Sequence, residues 1–131
     1  VLAEAQYVPG LITDVMIFNA RVIKKRPMEI KAVVKALLEA EDFLQNNRQE
    51  AVKIMSKCED MAEGEMEEGL RGIVHPGLKG NIKAMRKEEG STSLFGSGKI
   101  IADFYLKRGQ LSSLPDLDKI IEPRFVEELG K

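Results

Sequence analysis

Tryptophan is absent, and cysteine and histidine occur once each, at Cys58 and His75. A single cysteine excludes an intrachain disulfide and leaves the redox compartment open. Cys58 falls on the apolar side of a predicted helix, which favours a small buried hydrophobe over a nucleophile. His75 lies in the loop Val74-His75-Pro76-Gly77 with no second histidine or cysteine near it in sequence, so a metal centre is not expected. No apolar run reaches the roughly 18 residues of a transmembrane helix. No signal peptide is present and the first residue is Val1, so targeting information is expected to lie outside this sequence. No long run of like charge exists either. The longest, Lys24-Lys25-Arg26, reads as a solvated helix end. No internal repeat or low-complexity tract is found.

What remains is an ordinary folded composition. Apolar residues make up 44% and charged residues 31% of 131, with a net charge of -1. That excludes a disordered chain and points to one domain. Lysine and arginine are dispersed, which gives no footprint for nucleic acid.

The chain is organised around Pro27 to Cys58. Pro27 suits a first helical turn, where its missing N–H costs nothing. Ile30, Val33, Val34, Leu37, Leu38 and Leu44 repeat with the spacing of one buried helical face. Asn46-Asn47 breaks the pattern, because asparagine prefers caps and turns. A second apolar set, Ala51, Val52, Met55 and Cys58, follows. The stretch predicts a helical hairpin.

Before it, Tyr7-Val8-Pro9-Gly10 predicts a type II turn, with proline and then glycine at the central positions. Leu11 to Phe18 is short, apolar and rich in β-branched residues, and predicts a strand covered on both faces. A lone strand cannot satisfy its own backbone. Val1 to Ala5 is the only other strand candidate, so a neighbour from elsewhere is expected. Asn19 caps a short helix that must end near Arg26, before Pro27.

After the hairpin, Glu59 to Leu70 predicts a helix with Met61, Ala62, Met66 and Leu70 on one face and a solvated acidic side. Gly72 to Gly80 predicts a loop and Asn81 to Glu88 a short helix. Ser91-Thr92-Ser93 caps a helix from Leu94 to Arg108, whose buried stripe is Leu94, Gly98, Ile101 and Tyr105, widened by Ala102, Phe104 and Leu106. Lys107-Arg108-Gly109 ends it. Asp116 or Asp118 caps a single turn, and a last helix spans Arg124 to Leu129, stopped by Gly130.

No catalytic constellation emerges. Gly96-Ser97-Gly98-Lys99 fails as a phosphate loop, since Ser93 and Ile100 stand where glycine and Ser/Thr are required. Small residues allowing close helix approach explain it better. Glu63, Glu65, Glu67 and Glu68 read as an exposed acidic face without partners to shift their pKa values. The chain is therefore expected to be non-enzymatic and to need no cofactor.

Taken in order, Pro9-Gly10-Leu11-Ile12, Asp14-Val15, Arg26-Pro27, VKALLEAEDFLQNN with Glu50-Ala51, Ala102-Asp103-Phe104, Lys107-Arg108-Gly109, Leu114-Pro115-Asp116-Leu117 and Ile121-Glu122-Pro123-Arg124-Phe125 form a pattern. It resembles the C-terminal part of ABC-transporter substrate-binding proteins, in the nitrate, taurine, aliphatic-sulfonate and thiamine-precursor group. The usual proline of the family's Asn-Pro-Glu-Glu-Ala link is replaced by Arg48. The likeness spans nearly the whole chain, and order and spacing carry it.

The resemblance implies a mainly α chain with one or two short strands, the C-terminal portion of a two-lobe α/β periplasmic-binding-protein-like (type II) fold. Residues 1–131 form one segment: turn and hinge strand over 1–18, then a helical part over 19–131 packing on the first lobe. It implies a small-molecule ligand in the full-length protein, ABC permease subunits as partners, and a periplasmic or extracytoplasmic location held by permease or lipid anchor. A homodimer through the exposed strand edge is a further expectation. The ligand-lining candidates are Gln6, Tyr7, Pro9 and Gly10. A glycine turn lets backbone N–H groups approach an anion, and Tyr7 offers an apolar face with a hydroxyl. The same residues also read as a structural turn with Tyr7 half-buried. The alternative to solute binding is a free-standing helical interaction or regulatory module. Some relatives of the fold act on pyrimidine precursors, which implies a biosynthetic role as a third reading.

Overall fold

Asn19 turns the chain helical. Its Oδ1 accepts a hydrogen bond from the Arg21 N–H at 2.9 Å and starts α1, Ala20–Lys25. A computed structural model describes the chain at residues 9, 10 and 12–131. Pro27 opens α2, Pro27–Asn46, at its first position. Asn47 alone separates α2 from α3, Arg48–Glu59. Asp60 closes α3 in the left-handed conformation (φ 51), which Asp tolerates better than most residues. Then follow α4, Glu63–Arg71, and α5, Leu78–Ala84. Helix α6, Leu94–Lys107, is capped by Ser93, whose Oγ accepts from the Phe95 N–H at 3.2 Å. Asp116 caps a 3-10 turn, Leu117–Lys119, and α7 runs Arg124–Leu129 to Gly130.

Two apolar clusters share α2. Its C-terminal end contributes Leu44 to a cluster with Ala51, Val52, Met66 and Leu70, which joins α2, α3 and α4. Ile30 and Val34 form the other with Phe125 and Val126 of α7, flanked by Leu78, Ile82 and Met85 from the α5 region. Polar contacts reinforce the second. Lys31 donates to Glu128 at 3.0 Å, holding the Glu128 carboxyl below its usual range, and Arg124 donates to the Ile23 carbonyl at 3.4 Å.

The chain is mainly helical, as its periodicity requires. Several details differ from expectation. The strand expected over Leu11–Phe18 does not form within 12–18, where the backbone follows no regular pattern. A single extended segment has no ladder to join, and nothing in the described chain provides one. Among the described residues there is no strand, so no strand edge exists there for the expected homodimer. The other candidate strand, Val1 to Ala5, lies outside them.

Helix α5 starts before the expected Asn81, because Leu78 packs on the second cluster. The Asn81 side chain holds the entry by donating to the Pro76 and Gly77 carbonyls. Cys58 is exposed, not buried. It stands about 120° round α3 from Val52, a flank no other helix covers. On α2, Val33 and Leu37 stay exposed at 47% and 45%. On α6, Ile101, Phe104 and Tyr105 are exposed, and only Gly96, Ser97 and Ala102 are buried. The accessible surface totals 10326 Å², against roughly 6,900 Å² for a compact monomer of 14.6 kDa.

Candidate functional site

The turn singled out as ligand-lining is formed at its described residues. Gly10 takes φ 81, the value a type II turn needs at its second central position. Its hydrogen faces the backbone of Ser91 and Thr92, and a Cβ there would run into the Ser91 carbonyl. Pro9 is exposed and Gly10 half-buried. Gln6 and Tyr7 lie outside the described residues. The turn is thus seated on the hydroxyl-rich entry to α6, although Pro9-Gly10 and Ser91-Thr92 are about 80 positions apart. Sequence spacing treats Ser91 and Thr92 only as cap residues. Ser93 does the capping, and its hydroxyl also donates to the Arg86 carbonyl at 2.6 Å. The backbone of Ser91 and Thr92 thus lies against the turn, a contact the sequence reading missed.

Beyond the turn, Thr13 Oγ1 donates back to the Gly10 carbonyl at 3.0 Å. Among the described residues, little then covers the chain. Ile12, Val15, Met16 and Ile17 are 78%, 57%, 45% and 88% exposed. Only Phe18 reaches the second cluster. Four large apolar residues in six positions are in water, which is unfavourable by the area rule for each of them.

The remaining chemistry-bearing residues sit apart from the turn. Gly96 lies in the first turn of α6 with the Gly90 backbone pressed against it, and Gly98 faces the Leu117 side chain. The small residues therefore admit a loop and a 3-10 turn, not the second helix expected from sequence. Lys99 is exposed on the helix, and no phosphate cradle is built. In the acidic helix, Glu67 is not free. Arg48 meets it with Nε and Nη2 at 3.1 to 3.2 Å, which ties α3 to α4. Glu68 pairs with Arg71 at 2.8 Å, and Glu63 and Glu65 are exposed. Open grooves beside this pair and between α6, Lys87–Gly90 and Leu114–Leu117 do not close into cavities.

Among the described residues no cluster of His, Cys, Asp and Glu has a metal-binding arrangement, and no helix is long and apolar enough to cross a membrane. Among the described residues, the one perturbed carboxyl away from the ion pairs is Glu41. Burial pushes it above the usual range, the charge of nearby His75 works against that, and Asp42 adds to it. No family model matches the sequence, and no curated protein or solved structure matches it either.

Proposed function

We propose that this chain is the C-terminal segment of a non-catalytic solute-binding protein of an ABC-type importer, with a two-lobe fold completed by residues outside this sequence. One observation carries the reading: the apolar, exposed segment Ile12–Ile17, which joins no strand among the described residues and is entered through the Pro9-Gly10 turn. Such a segment is the surface of a crossing strand whose sheet lies elsewhere. An accessible surface well above that of a compact monomer supports the same view. So do Val33 and Leu37 on α2 and the uncovered aromatic pair on α6, all faces suited to a further layer.

The order of sequence motifs supplies the family. In this reading Gln6, Tyr7, Pro9 and Gly10 line one side of the ligand cleft, with the Ser91-Thr92 backbone against Gly10. A glycine turn close to a helix N-terminus suits a small anion or a polar heterocycle. The protein acts extracytoplasmically, delivering that solute to permease subunits.

The test is a thermal-shift panel of sulfonates, nitrate and pyrimidines. The full-length protein is expected to melt at a higher temperature with one of them, by linkage. The 131-residue chain alone is expected to show no shift, because most of the cleft is elsewhere. A clear shift with this chain alone contradicts the incomplete cleft. A reading frame with no upstream lobe removes the solute-binding reading and favours a free-standing helical interaction module.

A further inference from the structure

The exposed apolar faces of the chain do not share one electrostatic setting. On α2, which exposes Val33 and Leu37, both lysines are paired: Lys31 with Glu128 at 3.0 Å and Lys35 with Glu39 at 3.2 Å. Helix α6 differs. Ile100, Ile101, Phe104 and Tyr105 are exposed, and with Arg108 at the C-cap they fall within an arc of about 140° at 3.6 residues per turn. Lys107 borders that arc. Both cations are exposed, and among the described residues neither has an ion-pair partner. Lys87 and Lys119, by contrast, pair with Asp118 and Asp116 at 2.6 and 2.8 Å. The one acid of α6, Asp103, is half-buried about 60° beyond the arc, on the side of the groove toward 87–90. The Arg108 guanidinium stands 5.4 Å from the centre of the Phe104 ring, a cation held against the apolar face. The face thus ends in two unpaired cations, and its helix offers no carboxylate there.

We propose that this face of α6 rests on an anionic lipid surface, with Ile100, Ile101, Phe104 and Tyr105 inserted among the headgroups and Lys107 and Arg108 on the lipid phosphates. The charge pattern selects that occupant. A contact with a second copy through this face is self-matching. It brings Lys107 and Arg108 of each copy together with no carboxylate from either helix to meet them. A phosphate-rich surface supplies the missing negative charge, and a guanidinium takes a phosphate in two parallel bonds. Aromatic side chains suit the depth at which such a surface turns from polar to apolar, and Tyr105 adds a hydroxyl for the wet side. The helix lies on the membrane and does not cross it. From Ile100 to Arg108 the face is about 12 Å long, against about 30 Å of hydrocarbon. A contact of this size is reversible and needs a second attachment for stable anchoring. The proposal stands apart from the solute-binding reading, which turns on the sheet beside Ile12–Ile17.

Flotation of the full-length protein with vesicles tests it, using phosphatidylcholine alone and phosphatidylcholine mixed with phosphatidylglycerol. The protein is expected to float with the mixed vesicles and not with the neutral ones. It is expected to be released as salt rises from about 0.1 M to about 1 M, where the screening length falls to about 3 Å. Lys107→Gln with Arg108→Gln is expected to weaken binding about twentyfold, at about fivefold per cation. Phe104→Ser is expected to weaken it about tenfold, by taking aromatic surface out of the contact. Lys24→Gln with Lys25→Gln removes the same charge from the exposed end of α1 and is expected to leave binding unchanged. No binding to the mixed vesicles, as where a missing lobe or a second copy already covers α6, overturns the proposal. So does equal binding to neutral vesicles, wild-type binding by either α6 variant, or an equal loss in the α1 variant.

Discussion

Helices α2 and α6 carry apolar repeats of the same kind, and only α2 buries much of its repeat. Ile30, Val34 and Leu44 are each below 9% exposed, because α7 covers one end of α2 and α3 the other. Helix α6 meets a loop and a 3-10 turn, and Phe104 and Tyr105 stay 52% and 43% exposed. Helical spacing states which side chains share a face. It does not state whether anything lies over that face. The hairpin carries its own partner in the next helix, whereas among the described residues α6 meets only a loop and a 3-10 turn.

The largest effect that tests this contrast is in the two phenylalanines. Phe125→Ala, in the cluster between α2 and α7, is expected to cost about 3–5 kcal/mol in urea unfolding of the chain. Phe104→Ala on α6 is expected to cost less than about 1 kcal/mol, since only its edge contact with Tyr105 and the nearby Arg108 are lost. Comparable losses at the two positions would erase the distinction. A larger loss for Phe104→Ala in the full-length protein than in this chain would sharpen it, by showing the face covered there.

The glycines give the next effect. A Cβ at Gly96 meets the backbone of Gly90, and backbone cannot swing aside as a side chain does. Gly96→Ala is expected to destabilise by about 1–3 kcal/mol. Gly69, inside α4, has nothing within 4 Å of an added Cβ. Gly69→Ala is expected to stabilise by about 0.5–1 kcal/mol through the entropy of the unfolded chain. Thermal melts of the two variants should move in opposite directions.

The smallest effect is a pH slope. Burial raises the folded-state pKa of Glu41 above its ordinary value of 4.5, so between the two values the folded chain binds more protons than the unfolded one. Stability from this group is present below pH 4.5 and falls as pH rises through the raised value. Glu29 and Glu128 act with the opposite sign, because Arg26 and Lys31 lower their pKa values. The difference between wild type and Glu41→Gln therefore isolates Glu41. The variant is expected to gain on the wild type as pH rises from 4.5, read by unfolding at a series of pH values.

Much of the local structure was legible in the residues themselves. Asn19, Pro27, Ser93, Asp116 and Gly130 act within a few positions of where they stand, and the turn at Pro9-Gly10 needs only its own glycine. The break at Asn46-Asn47 is of the same kind. The misses are contacts across long separations. Glu67 gains Arg48 from another helix, Ser91 and Thr92 meet Gly10, and Gln45 reaches the His75 carbonyl. None of these leaves a periodic signal. Burial failed for a related reason, since Cys58, Ile101 and Tyr105 lie on apolar flanks that no described element covers. Of the candidate site, the Pro9-Gly10 turn and the Ser91-Thr92-Ser93 helix entry were each readable in advance, and the contact between them was not.

The central claim is that Ile12 to Ile17 belongs in a sheet supplied from outside this chain. Hydrogen exchange over 12–18, compared between this chain and the full-length protein, tests it directly. Strong protection of those amides in the full-length protein, with rapid exchange in this chain, is the result the account predicts. Equally rapid exchange in both would contradict it.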